Sequence, residues 1–212
     1  MKRIIILGQG RSGSTLVKRV LNTIPNSYIA GDNKNFWYHI YQARISYGYI
    51  PIWEVKIAEK AGQKPYSYNT KTDSYKPCWF NKNWHKNHAK INKTAKSLFN
   101  SFYNINNQKF FGFKEIRFPE TQDEFNDYLD WWRLIFPDIY FIFTVRNINT
   151  LQKSGWWKPK DREKLLNQEK LLRSRTDGFL MEYENFDWKG LFDFIDEPYN
   201  ESEVQRILNK KL

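Results

Sequence analysis

Residues 4–7, Ile-Ile-Ile-Leu, run straight into Gly8-Gln9-Gly10-Arg11-Ser12-Gly13-Ser14-Thr15, and the helical pattern Leu16, Val20, Leu21 starts at once. A strand, a loop of small residues and a helix N-terminus in that order make an anion site. The small residues let backbone N–H groups point inward, and the helix start adds the positive end of its dipole. A fold built around a phosphate-bearing ligand is expected.

Two well-known phosphate loops fit this stretch only in part. A Walker A loop needs a lysine where this chain has Ser14. A dinucleotide loop needs Gly-x-Gly-x-x-Gly and an acid about 20 residues later. Gly8, Gly10, Gly13 and Asp32 satisfy that spacing, so an NAD(P)-dependent oxidoreductase is the rival reading. However, Arg11, Ser12, Ser14 and Thr15 offer hydrogen-bond donors where a dinucleotide loop packs small apolar side chains.

Short apolar runs recur at 3–7, 27–30, 110–114, 140–145 and 179–182, with helical patterns between them. That alternation predicts an α/β fold, a three-layer sandwich with a central parallel sheet and a P-loop-like phosphate-binding loop. The 212 residues suit a single domain spanning 1–212, with 47–108 expected as a substrate-facing insertion and 62–77 as a long polar loop within it. Ligands of such sheets bind beyond the carboxyl ends of the strands, where the glycine loop, Asp32, Lys114 and Arg146 all fall. Helices are predicted over 124–135, where Thr121 and Glu124 suggest a capping box, over 161–175 and over 202–210. Trp84, His88, Ile91, Ala95, Leu98 and Phe102 predict the buried stripe of a further helix, and Lys82, Lys86, Lys90, Lys93 and Lys96 its solvated face.

The net charge of +11 favours anionic ligands. Its lysines are spread along the chain without a zinc-finger or RNP signature, so nucleic acid is not expected as a partner; a basic nucleic-acid-binding module is the non-enzymatic alternative. One cysteine, Cys78, allows no internal disulfide and suggests a reducing, cytoplasmic setting. No segment reaches the ~20 apolar residues of a membrane span, and the N-terminal residues read neither as a secretory signal nor as an anchor. The only histidines, His39, His85 and His88, supply no convincing metal-ligand set, so no metal is expected. Nine tryptophans are unusual at this length; many are expected in the core, and a surplus suggests a groove for sugar rings or an adenine.

The loop core Arg11-Ser12-Gly13-Ser14-Thr15 resembles the 5′-phosphosulfate loop of sulfotransferases that use 3′-phosphoadenosine 5′-phosphosulfate (PAPS). A second match makes the resemblance specific: Phe141-Ile142-Phe143-Thr144-Val145 ends in Arg146, and Ser154 follows eight residues later. In that family a strand-terminal arginine and a serine at this spacing hold the donor's 3′-phosphate. A guanidinium can form two parallel charge-assisted bonds to such a group. Phe111-Gly112-Phe113-Lys114-Glu115-Ile116-Arg117 resembles the family's central strand, and Met181-Glu182-Tyr183-Glu184-Asn185-Phe186 its tyrosine-glutamate motif. The loop and the Gly31-Asp32 step look most like the bacterial, carbohydrate and protein-tyrosine branches.

The resemblance implies PAPS as co-substrate, bound by Arg11, Ser12, Gly13, Ser14, Thr15, Arg146, Ser154 and Tyr183. It implies Asp32 as general base, at the place where several branches carry a glutamate, with Lys114 and Arg11 stabilising charge on the transferring sulfonate. Glu115 and His39 are reserve bases; Asp32 as a mere helix cap is the bland alternative. Glu184 is expected to begin the helix after the last strand. Trp156 and Trp157 are candidate stacking rings. The implied partner is a small-molecule or glycan acceptor, anionic ones included; oligomeric state is left open. A sulfonate carries less charge than a phosphoryl group, so in-line transfer needs no obligatory metal and no nucleophile such as Cys78.

Overall fold

The structure, a computed structural model, describes residues 1–48, 84–104, 106–154 and 156–210. The expected loop at 62–77, Cys78, Lys82, Lys86 and the side chains of Trp84, His85 and His88 lie outside what is described.

Five strands form one parallel sheet: β1 (Lys2–Gly8), β2 (Ser27–Ala30), β3 (Phe110–Glu115), β4 (Ile139–Val145) and β5 (Phe179–Glu182). Their order is β2-β3-β1-β4-β5, all five coinciding with the apolar runs of the sequence. Strands buried on both faces read as continuous Ile and Phe, as parallel sheets require. Alternate residues then feed two cores. Ile5, Leu7, Phe111, Phe113, Phe141 and Phe143 point to the face covered by α2 (Phe36–Gly48), α3 (Trp84–Tyr103), α4 (Gln122–Ile135) and α6 (Arg162–Arg173). Ile4, Ile6, Phe110 and Ile142 point to the other, covered by α1 (Ser14–Leu21), α7 (Trp188–Phe194) and α8 (Glu201–Leu208). The fold is thus the expected three-layer α/β sandwich. Between β4 and α6 lie a short α5 (Ile148–Gln152) and a 3₁₀ turn (Pro159–Asp161).

The aromatic surplus goes mostly inward. Trp37, Trp131 and Trp132 are buried in one cluster with Phe99, Tyr103, Phe113 and Phe136, the Phe99 and Phe136 centroids 4.9 Å apart. The α3 stripe is rotated from its expected place: Ala95, Phe99 and Tyr103 are buried, whereas Phe102 is exposed. Successive i, i+4 steps, rather than the alternating three and four of the sequence reading, aim Phe99 and Tyr103 at Trp132 and Phe113. Lys90, Lys93 and Lys96 do lie on the solvent side.

Helix starts follow local chemistry. Asn147, Asp187 and Asn200 cap α5, α7 and α8 with side-chain oxygens. Thr121 Oγ1 accepts from Glu124 N at 3.4 Å, but the Glu124 carboxylate accepts from the Tyr38 hydroxyl instead of closing a capping box. In contrast, Gly13 precedes α1 and supplies no side-chain cap.

Register sets the site. Ile6 pairs with Lys114, Gly8 with Thr144 and Val145 with Glu182. The glycine loop, Lys114 and the residues after β4 and β5 therefore emerge together at the carboxyl edge.

Candidate active site

The loop after β1 is fixed from below by buried polar contacts. Gly8 packs against β4 so closely that a Cβ would overlap Thr144 Oγ1. Gln9 is fully buried; its Nε2 donates to Leu165 O at 2.9 Å and its Oε1 accepts from Arg146 N at 3.2 Å. Ser12 is buried too, with Oγ 2.7 Å from Thr144 Oγ1 and its N–H donating to Gln9 O. Trp157 Nε1 donates to Gly10 O at 2.8 Å while its ring packs on Ile148, Leu151 and Leu165.

With these groups turned inward, the open side of the loop is mostly backbone. Arg11 and Gly13 have φ of 72° and 88°, left-handed values that Gly13 adopts freely. At Gly13 a side chain would also strike the Phe186 and Tyr183 rings. The N–H groups of Ser14 and Thr15 donate to no described acceptor, so the positive end of α1 is open.

Two arginines flank this opening. The Arg146 guanidinium lies 3.9 Å from the centroid of the Tyr183 ring, and its Nη1 donates to Arg11 O at 3.2 Å. The Arg146 Nε is buried without a described partner. Arg11 stacks 4.9 Å from the ring of Trp156, itself 55% exposed. Neither arginine takes part in an ion pair among the described residues. An unpaired arginine beside an open helix N-terminus is built for an anion.

Ser154 stands just past α5, exposed, with Oγ donating to Leu151 O at 2.6 Å; gripping a ligand requires its hydroxyl to leave that carbonyl. Glu184 does not begin a helix, contrary to expectation, because Asp187 caps α7 and starts it at Trp188. Instead its carboxylate accepts from Asn147 N at 3.1 Å and from Thr150 Oγ1 at 3.0 Å, bracing the start of α5.

Across the loop, Lys114 Nζ donates to Asp32 Oδ2 at 2.6 Å. Lys114 is 5% exposed, whereas the Asp32 side chain is 38% exposed and keeps a solvent edge. Asp32 is thus engaged by Lys114, and no described hydrogen bond makes it a helix cap. Glu115 is buried, and four backbone N–H groups, those of Asn33, Asn35, Ile116 and Arg117, donate to its two oxygens at 2.9–3.3 Å. With its lone pairs used, it is no free base. His39 is exposed in the first turn of α2, and no described group hydrogen-bonds its ring.

A model of the sulfotransferase family matches residues 3–154. The chain belongs to the sulfotransferase family. No curated protein matches it. Among solved structures, the chain is similar to a gluconokinase from Sinorhizobium meliloti 1021, at 14% identity over 97% of this chain and 93% of that one with a TM-score of 0.40. It is also similar to a dephospho-CoA kinase from Campylobacter jejuni, at 13% identity over 98% and 96% with a TM-score of 0.31.

The strand order also argues against the dinucleotide alternative. In a dinucleotide-binding sheet β2 lies next to β1, so the acid after β2 can reach a ribose held on the first loop. Here β3 separates them, and Asp32 is engaged by Lys114. The structure gathers Arg11, Gly13, Ser14, Thr15, Arg146 and Tyr183 at the loop and Asp32 with Lys114 beside it. Ser12 is turned inward. Gln9, Glu115 and Glu184 take structural roles that only spatial partners reveal; a glutamine inside a glycine loop is the one visible hint. Among the described residues no helix is long and apolar enough to cross a membrane, and no cluster of His, Cys, Asp or Glu suits a metal ion.

Proposed function

We propose that this sulfotransferase moves a sulfuryl group from PAPS to an acceptor hydroxyl, on a carbohydrate or glycolipid, by in-line displacement. One observation carries the reading: Arg146, whose buried Nε has no partner and which meets no carboxylate among the described residues, stands beside the uncapped N-terminus of α1. The residues fit a donor carrying two separate anionic groups. Backbone N–H groups of Ser14 and Thr15 with Arg11 suit the 5′-phosphosulfate; Arg146, supported on Tyr183 and joined by Ser154, suits the 3′-phosphate.

In this reading Asp32 takes the proton of the acceptor hydroxyl as the acceptor oxygen bonds to sulfur. The bond from sulfur to the 5′-phosphate oxygen breaks, and its electron pair leaves with adenosine 3′,5′-bisphosphate. Lys114, buried against Asp32, and Arg11 offset the negative charge that accumulates at this end of the site. Trp156 offers an exposed ring face that suits a sugar, and the solvent edge of Asp32 admits a large acceptor.

Calorimetric titration with adenosine 3′,5′-bisphosphate, adenosine 5′-monophosphate, NADH and Mg-ATP at one moderate salt concentration tests the donor. Binding of the bisphosphate that weakens sharply without the 3′-phosphate is the expected result. A preference for NADH, or no binding of the bisphosphate, would overturn it. An acceptor screen with PAPS, including glycans, glycolipid headgroups and tyrosine peptides, then tests the acceptor.

A further inference from the structure

We propose that Glu115 is the positioning residue for Asp32, an inference that rests on the base role given to Asp32 above. The carboxylate sits where β3 ends, one residue after Lys114, and is 2% exposed. One oxygen accepts from the N–H groups of Asn33 at 3.3 Å and Asn35 at 3.0 Å; the other accepts from Ile116 at 2.9 Å and Arg117 at 3.2 Å. It thereby ties the turn after Asp32 to the strand end that carries Lys114.

That turn needs a tie. Lys34 and Asn35 both hold left-handed backbones, at φ 55° and 72°, which cost non-glycine residues free energy unless the surroundings fix them. Asn33 Nδ2 reaches only Tyr103 Oη, at 3.5 Å. The bonds that the N–H groups of Asn33 and Asn35 donate to this buried carboxylate are charge-assisted, a strong class of hydrogen bond. Asp32 immediately precedes it, so the same clamp holds the Asp32 carboxylate on Lys114. Glu115 touches neither donor nor acceptor in this arrangement and acts through Asp32.

The test compares Glu115→Gln, Asp32→Asn and the double variant with the parent protein. An amide nitrogen in Glu115→Gln must face backbone N–H donors, which breaks one side of the clamp. Expected are bisphosphate affinity within about twofold of the parent and an unchanged KM for PAPS. Turnover of PAPS, read as the bisphosphate set free when the sulfuryl group passes to water or an acceptor, should fall about 100-fold, the scale of a misplacement of about 1 Å. In the Asp32→Asn background Glu115→Gln should add no more than about twofold, because neighbours acting through one group are not additive. Amide exchange at Asn33 and Asn35 should quicken in Glu115→Gln. Additive losses in the double variant, or lost bisphosphate binding in Glu115→Gln alone, would overturn the assignment. If the parent binds no bisphosphate, the donor reading fails on its own, and unchanged exchange at Asn33 and Asn35 would overturn the clamp independently.

Discussion

The Lys114 ammonium and the Asp32 carboxylate form a 2.6 Å pair in which the cation is enclosed and the anion reaches solvent. Removing the two partners should therefore have unequal costs. Asp32→Ala strands a buried ammonium and should cost about 1–3 kcal/mol, less than the loss for a fully buried pair because water can enter from the Asp32 side. Asp32→Asn keeps an oxygen for Lys114 and should fold nearly as well, yet lose about 10²–10⁴-fold in turnover if Asp32 is the base. Urea unfolding and single-turnover transfer on the two variants separate the effects. Equal turnover in Asp32→Asn and the parent would remove Asp32 from the chemistry.

Ser12 and Thr144 share a buried hydroxyl pair at 2.7 Å, which assigns the Ser12 side chain to holding the loop on β4. Ser12→Ala leaves Thr144 Oγ1 without that partner, and Thr144→Val does the same to Ser12. Each single change should cost about 1–3 kcal/mol, while the double variant should cost less than their sum because no orphaned hydroxyl remains. Denaturant midpoints of the four proteins give the coupling. A sum that is simply additive would mean that the two hydroxyls do not depend on each other.

Asp177, two residues before β5, contributes to acid stability. Hydrogen bonds from Arg175, at 2.8 and 2.6 Å, and from Arg133, at 2.8 Å, hold its carboxyl down to about 2 from an ordinary 3.8. The folded pKa is the lower one, so the unfolded chain binds the proton first. The stabilisation is complete above about pH 5 and is lost as the pH falls through 4 towards 2. Asp177→Asn should thus lower the melting temperature at pH 7 and approach the parent near pH 2. A constant difference across that range would contradict the linkage.

Much of this was legible because the informative features are local. The five strands announced themselves as short Ile- and Phe-rich runs, and the glycine loop, Arg146 and Ser154 lie at fixed sequence spacings. What the sequence hid depends on partners far along the chain. Glu115 reads as a spare carboxylate until Asn33 and Asn35, some 80 residues away, donate to it. Trp37 and Trp132 read as unplaced aromatics until α2 and α4 bring both rings against Phe113. Ser12 reads as one more loop donor, since nothing local shows that Thr144 faces it. The α3 stripe slipped because two adjacent positions, Leu98 and Phe99, are both apolar and only the tertiary cluster chooses between them.

Arg146 offers the sharpest separation of binding from folding. It has no described carboxylate partner, gives Nη1 to the single carbonyl of Arg11 and rests on Tyr183, so its loss leaves little unsatisfied. Arg146→Ala should keep the melting temperature within a few degrees, as a lost exposed contact worth under about 1 kcal/mol implies. The same change should weaken adenosine 3′,5′-bisphosphate binding about 100-fold, the scale of losing two charge-assisted hydrogen bonds, while hardly altering the affinity for adenosine 5′-monophosphate. Arg146→Lys should fall between, since an ammonium keeps the charge but can neither grip a phosphate with two parallel bonds nor lie flat on the Tyr183 ring. Calorimetry on the three proteins with both nucleotides reads the difference directly. If both nucleotides lost affinity equally, Arg146 would be a general attractor of anions, and recognition of the 3′-phosphate would have to be sought elsewhere along the loop.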